Sequence, residues 1–215
     1  MFENIKLFLG WLFSTEAEEK PKSDPTDILL DSIILTARAR FNAANRLEFY
    51  SAVSFITNLF MSLGLILIPL LQLANMHTLL PQNFINAILI FLAITVLVYS
   101  LVSHAEKYEV RAQKLTECGN SMKDLIREIR AKRGNQSFDL DHYNIKYGGI
   151  IKDSENHNRF DYTRAKIESK NMFHITGIKG LWLHVLSKLV FIPRLVISIA
   201  LLGAESFLLL KAFFL

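Results

Sequence analysis

Residues 49–105 contain no Asp, Glu, Lys or Arg, although those four types make up 20% of the 215-residue chain. An uncharged stretch of that length excludes a solvated surface there and is too long for one bilayer crossing. Two crossings of ~20 apolar residues through a ~30 Å hydrocarbon core fit it, with a turn between them. The spacing places the crossings at residues 50–74 and 84–104. Cysteine is nearly absent: Cys118 alone excludes an intrachain disulfide framework and suggests a segment facing a reducing compartment. Glycine never clusters into a phosphate-cradling loop, because Gly148-Gly149 is an isolated pair followed by Ile150-Ile151. Neither Gly nor Pro occurs between Ile28 and Ser54, so nothing interrupts a helix there.

Hydrophobic residues make up 51% of the chain and are clumped rather than spread at core-forming periodicity, which favours a membrane class. The formal net charge is +4, all of it outside the hairpin. Beside a bilayer such a balance attracts anionic headgroups, at ~1 kcal/mol per basic residue near the surface. No direct nucleic-acid binding is expected from it. Lys and Arg flank the outer ends of the hairpin and are missing from its turn. The positive-inside rule therefore puts the charged segments in the cytoplasm of a multi-pass inner-membrane protein.

Residues 1–23 form a first segment. Phe2, Ile5, Phe8, Leu9, Leu12 and Phe13 recur at helical spacing with Trp11 among them. This suits either an interfacial amphipathic helix or one packed on the protein itself. Glu3, Glu16, Glu18 and Glu19 argue against a signal peptide. The next segment, residues 24–170, starts with a helix signal: Asp24 as N-cap, Pro25 at the first helical position, Asp27 near the positive dipole end. That helix is expected to run unbroken into the first crossing. After the second crossing the same pattern predicts a helix from His104 to Arg133, ended by Gly134-Asn135. Two long helices leaving the membrane on one side should pair antiparallel. Shorter helices are expected from Asp141 to Lys152 and from about Asn156 to Ser169. Residues 181–190 look interfacial or partly buried, and Pro193-Arg194 breaks the pattern.

Residues 195–215 are long enough to cross, interrupted by Glu205 and Lys211. Arg194 and Glu205 lie about three helical turns apart and so share a face. Ionisable groups at mid-membrane cost ~2.5–3.5 kcal/mol on insertion scales and are usually paired or turned to a polar cavity. A third crossing in the 171–215 segment, with that face buried against protein, is the expectation. The fold class is thus an all-α membrane protein: a transmembrane hairpin continuous with long cytoplasmic helices, plus a third, C-terminal membrane helix.

Within the first crossing, Ser51, Ser54, Asn58, Ser62, Pro69 and Gln72 fall within about 80° on a helical wheel. Small and polar residues are the common means of close helix packing in lipid. The same stripe would line a hydrated path if several copies assembled. Both readings stand at this point. In the polar segment His157 and Asp161 are spaced i, i+4. A metal site would need more ligands nearby, and a catalytic dyad would need a nucleophile that the sequence does not supply. A hydrogen-bonded pair locking helices together is the expectation; no catalytic residue, metal or cofactor is.

Some short motifs are ordered along the chain. Phe41-Asn42-Ala43-Ala44-Asn45-Arg46-Leu47 precedes the first crossing, and Tyr108-Glu109-Val110-Arg111-Ala112 follows the second. Cys118 and Leu125 come next, then Tyr143 through Ile150-Ile151 to Asn156-His157 and Asp161-Tyr162. In that order, over residues 27–170, the pattern resembles the SLATT family, the SMODS and SLOG-associating two-transmembrane effector domains. The resemblance implies an effector encoded beside nucleotide-second-messenger synthases, nucleotide sensors or reverse transcriptases in bacterial anti-phage systems. Such effectors are thought to oligomerise in the inner membrane, form pores and cause abortive cell death. It implies no catalytic residue. Arg46, Tyr108, Asn156, His157, Asp161 and Tyr162 match its motif positions, with an expected role in holding the cytoplasmic helices or relaying a signal.

Overall fold

The computed structural model describes residues 18–19, 22, 24–134, 138–175 and 177–213. The N-terminal amphipathic segment of the sequence reading lies outside them. The elements are β1 (Glu18–Glu19), α1 (Pro25–Leu73), α2 (Gln82–Ala105), α3 (Tyr108–Lys132), α4 (Leu140–Lys152), α5 (Arg159–Glu168), β2 (Phe173–His174), α6 (Gly177–Leu189) and α7 (Ile192–Phe213). The two strands form one antiparallel two-residue pair; everything else regular is helix. The chain is an all-α membrane protein. Three helical runs are long and apolar enough to cross a bilayer: Pro25–Leu73, Gln82–Lys132 and Ile192–Phe213.

The chain divides into two compact units, Met1–Leu47 with Val110–Val190 and Glu48–Glu109 with Phe191–Leu215. The first is the polar unit. Its axis is the start of α1, capped as the sequence predicts: the Asp24 carboxylate accepts from the Thr26 amide at 2.8 Å. Leu29, Leu30, Ile33 and Ala37 of α1 pack on Cys118, Met122, Leu125, Ile126 and Ile129 of α3 and on Tyr143 of α4. The opposite face of α1 sets Leu35 and Ala39 against Ala165 of α5 and Phe173. The pairing of α1 with α3 is antiparallel. Arg133, just past α3, reaches Asp24 and Asp27 at 2.7 and 2.6 Å, while Phe41 crosses α3 at Gly119. A Cβ on Gly119 would sit 2.7 Å from the end of the Phe41 ring, so any other residue there would displace that ring. α3 ends where the sequence predicts, with Gly134 at φ 92°.

The second unit is the membrane unit, formed by the C-terminal part of α1, by α2 and by α7. Its packing inverts that of a soluble bundle. On α1 the inward positions are Ser54, Thr57, Met61, Gly64 and Ile68, while Phe55, Ile56, Leu59, Phe60, Leu63 and Ile66 are exposed. Lipid tails are as apolar as leucine, and small or polar residues (Ser54, Thr57, Gly64) share the inward face with the large apolar Met61 and Ile68. The turn forms at Asn75, in the left-handed region at φ 53°, a conformation asparagine adopts readily. The Leu79 amide donates to the Ala212 carbonyl at 3.0 Å. Ile68, Ile85, Leu92, Ala212 and Phe213 share one apolar cluster. The end of α7 therefore lies at the hairpin turn, and α7 runs parallel to α1.

Four boundaries differ from the sequence reading. The second crossing does not continue unbroken into α3: Glu106 and Lys107 form a turn, with Lys107 at φ 48° and its amide donating to the His104 carbonyl. A single left-handed residue suffices to end a helix without Gly or Pro. α5 is shorter than expected, starting at Arg159 after an extended Asn158. The helix reaching Leu189 begins earlier than residue 181, at Gly177, and leaves Leu181, Trp182 and Val185 exposed. Pro193 breaks nothing, because it sits in the first turn of α7, where its missing N–H is not needed.

Candidate functional site

Two groups of polar side chains stand out, one in each unit. In the membrane unit, Arg194 projects from the first turn of α7 between α1 and α2. Its Nε donates to Ser54 Oγ at 3.0 Å and its Nη2 to Ser103 Oγ at 2.8 Å, with a second, shorter bond from Nη2 to Ser54. The guanidinium carbon lies 5.1 Å from the Tyr99 ring centre and 5.5 Å from that of Tyr108. Two aromatic faces and two hydroxyls thus replace the water a cation would lose. Tyr108 also packs edge-on to Tyr50 at 5.7 Å, and Phe49 to Phe191 at 5.1 Å. Such a girdle is the side-chain population of a membrane–water interface. Ser51 Oγ donates to Glu109 at 2.9 Å at the same end.

Deeper along the same helices, polar satisfaction fails. Glu205 is 4% exposed, and its Oε1 has no hydrogen-bond partner. It packs against Gly64 so closely that a Cβ on that glycine would overlap the carboxylate. Asn58 Oδ1 and Gln72 Nε2 are likewise buried without partners. Ser54, Thr57 and Ser62 satisfy their hydroxyls locally, donating to the carbonyls of Tyr50, Val53 and Asn58. In the stripe predicted from the sequence, Ser54 and Ser62 fold their hydroxyls back on their own helix, Ser51 reaches Glu109, and Asn58 and Gln72 each bury one amide atom without a partner.

In the polar unit, Arg38, Asn42 and Arg46 form a ladder along one face of α1, facing α5. Arg46 grips Asp161 with two bonds, Nε to Oδ1 at 3.1 Å and Nη2 to Oδ2 at 2.9 Å, and Asp161 is 4% exposed. The same carboxylate accepts from the Asn158 amide at 3.0 Å, so one side chain both caps α5 and ties it to α1. Asn42 donates to Glu168 at 3.1 Å, and Arg38 to the Glu168 carbonyl and to Ser169 Oγ at 2.9 and 2.7 Å. The predicted His157–Asp161 hydrogen bond does not form. His157 precedes the helix, its ring stacks on Tyr162 at 5.6 Å, and its Nδ1 is buried without a partner. Asn156 accepts from the His157 amide at 3.2 Å. Burial, with Arg40 nearby, pushes the His157 imidazole below its ordinary pKa, and Asp161 opposes this in part. Among the described residues no three His, Cys, Asp or Glu side chains converge as metal ligands.

Residues 22–205 match the family described as SMODS and SLOG-associating 2TM effector domain family 5. The chain belongs to the SLATT family. No curated protein and no solved structure matches it. The SLATT match takes in both units and most of α7, so the helix carrying Arg194 and Glu205 is inside the family's extent. It marks the chain as a membrane effector of defence systems.

Arg46, Asp161, Arg194 and Glu205 are each legible in the sequence, but the pairing of Arg46 with Asp161 and of Arg194 with Ser54 and Ser103 is not. The Arg38–Asn42–Arg46 spacing was a usable signal, because i, i+4, i+8 polar residues before an apolar crossing need a partner helix. Arg40 was missed too: it is 1% exposed, and its Nε and Nη1 have no partner. Nothing in local sequence singles out Gly64, Tyr99 or Ser103, which matter only through residues distant in the chain.

Proposed function

We propose that this SLATT chain oligomerises and forms a pore in the bacterial inner membrane, causing abortive cell death in an anti-phage system linked to a nucleotide second messenger or a reverse transcriptase. The observation that carries the reading is the set of orphaned polar atoms inside helices of membrane-spanning length: Asn58 Oδ1, Gln72 Nε2 and Glu205 Oε1. Hydrocarbon offers such groups no partner, and each costs several kcal/mol unless water or another chain supplies one. A second copy and a hydrated path would supply both. Ser51, Ser54 and Ser62 remain lining candidates alongside Asn58 and Gln72, with Arg194 and Glu205 behind them. The polar unit sits in the cytoplasm in this reading. The reading assigns the chain no catalytic activity and no cofactor.

Potassium efflux from liposomes holding the full chain tests this. The comparison is an Asn58→Leu/Gln72→Leu variant inserted to the same extent, which leaves the Ser54 contact with Arg194 intact. Wild-type efflux reduced roughly tenfold or more in the variant is expected, the order of one lost partner of about 1.4 kcal/mol or greater. No efflux from wild type, even with a candidate synthase or nucleotide added, would instead mark a non-conducting anchor that recruits a cytoplasmic partner.

A further inference from the structure

A cavity of about 510 Å³ opens in the polar unit, between α1, α3 and the segment after α5. Its size falls in the range of small-molecule sites, ~300–1,000 Å³. Six basic side chains line it, Lys22, Arg38, Lys123, Arg127, Arg130 and Lys170, against two carboxylates, Asp31 and Glu168. One carboxylate offsets a single lining cation, and the other is engaged by groups outside the lining. Asp31 is held by Lys22, and Glu168 accepts from Arg164 at 2.9 Å and Asn42 at 3.1 Å. Arg127 pairs with Asp124, which is not in the lining. Arg38 is fixed in place by the Glu168 carbonyl and Ser169. Lys123 rests 4.0 Å above the Phe41 ring. Among the described residues Lys123, Arg130 and Lys170 have no carboxylate partner at all. Ile34, Ile126 and Met172 add an apolar lining.

Cations converging on a walled cleft repel one another and focus a positive potential into it, a cost that a bound anion reverses. Several charges of one sign, beside apolar surface, match a ligand with clustered negative oxygens and an uncharged body. We propose that this cavity binds a phosphate-bearing anion carrying two or more negative charges. The assignment stands whether or not the chain conducts ions, since every group it uses belongs to the polar unit. Phosphate oxygens could come from a free nucleotide-like ligand or from a lipid headgroup, and the test separates them.

The full chain is reconstituted in purely zwitterionic vesicles and titrated with inorganic triphosphate and with adenosine triphosphate. An Arg130→Gln/Lys170→Gln variant is compared with a Lys114→Gln/Lys152→Gln control that removes the same charge outside the cavity. Saturable binding that the cavity variant weakens roughly tenfold or more, as expected for losing charge-assisted hydrogen bonds, and that the control leaves unchanged, establishes a free phosphate ligand. Failure of both soluble probes, with cardiolipin, whose headgroup carries two phosphates, co-purifying with the wild type and the control but not with the cavity variant, assigns the site to a headgroup. Absence of both, or equal loss in variant and control, overturns the site.

Discussion

The two units of this SLATT chain solve one problem, a buried charge, in opposite ways. In the polar unit Asp161 meets a full counter-charge, two bonds from Arg46, and adds a backbone cap. In the membrane unit Arg194 meets no carboxylate among the described residues; two serine hydroxyls and two tyrosine rings take the place of its water. Glu205, on the same helix, has an oxygen with nothing at all. The contrast holds for these charges and not for every polar group, since Arg40 Nε and Nη1 and His157 Nδ1 are buried without partners in the polar unit. An ion pair with a cap is a finished device that fixes one helix on another. An orphaned carboxylate in a helix that crosses a bilayer is unfinished within one copy, which is why function is sought there.

The sharpest way to break the comparison is to remove the pair in the polar unit. Asp161→Ala removes the buried carboxylate that Arg46 grips with two bonds, and about 3–5 kcal/mol of stability should be lost. Thermal or denaturant unfolding in neutral detergent reads this, and an Arg46→Ala/Asp161→Ala double variant should be less than additive. If Asp161→Ala alone is neutral, the pair is ornamental and the contrast fails.

A smaller effect should come from the membrane unit. Gly64→Ala forces the Glu205 carboxylate to move, at about 1–3 kcal/mol for overpacking. In a Glu205→Ala background the same change should be tolerated or slightly stabilising, since alanine is the better helix former by about 1 kcal/mol. Resistance to unfolding in a denaturing detergent measures both, and equal effects in the two backgrounds would mean that the glycine does not hold the carboxylate.

The smallest expected effect is a gradient rather than a loss. His157 has a folded-state pKa below its ordinary 6.5 because it is buried. The unfolded chain then binds the proton more readily, so stability is full above about pH 6.5 and falls as pH drops through the folded pKa. His157→Gln should flatten that part of a melting-temperature profile, and an unchanged slope would place its origin elsewhere. At the surface the sign repeats without the burial: Lys146 and Lys132 hold the Glu128 carboxyl at about 2.

What was legible in the sequence was local. The cap at Asp24, the turn at Asn75 and the stop at Gly134 follow from backbone preferences of a few adjacent residues. The crossings follow from runs of uncharged residues matched to bilayer thickness. The break at Glu106–Lys107 was not legible, because neither residue demands a turn and a left-handed lysine persists only where its surroundings impose it. His157 and Asp161 show the same limit: helical spacing suggested a pair, and the helix begins too late to make one.

By itself, then, the sequence determined that this is a helical membrane protein, where its crossings lie and which residues would be expensive to bury. Tertiary structure alone decided what each of those residues meets. It set α7 parallel to α1, gave Asp161 to Arg46, cradled Arg194 with Ser54 and Ser103, pressed Glu205 onto Gly64 and gathered six cations around one cavity. The physical reason is range. Capping, turning and spanning are settled within a few residues of chain, whereas the partner of a buried charge is chosen by whichever distant helix packs beside it.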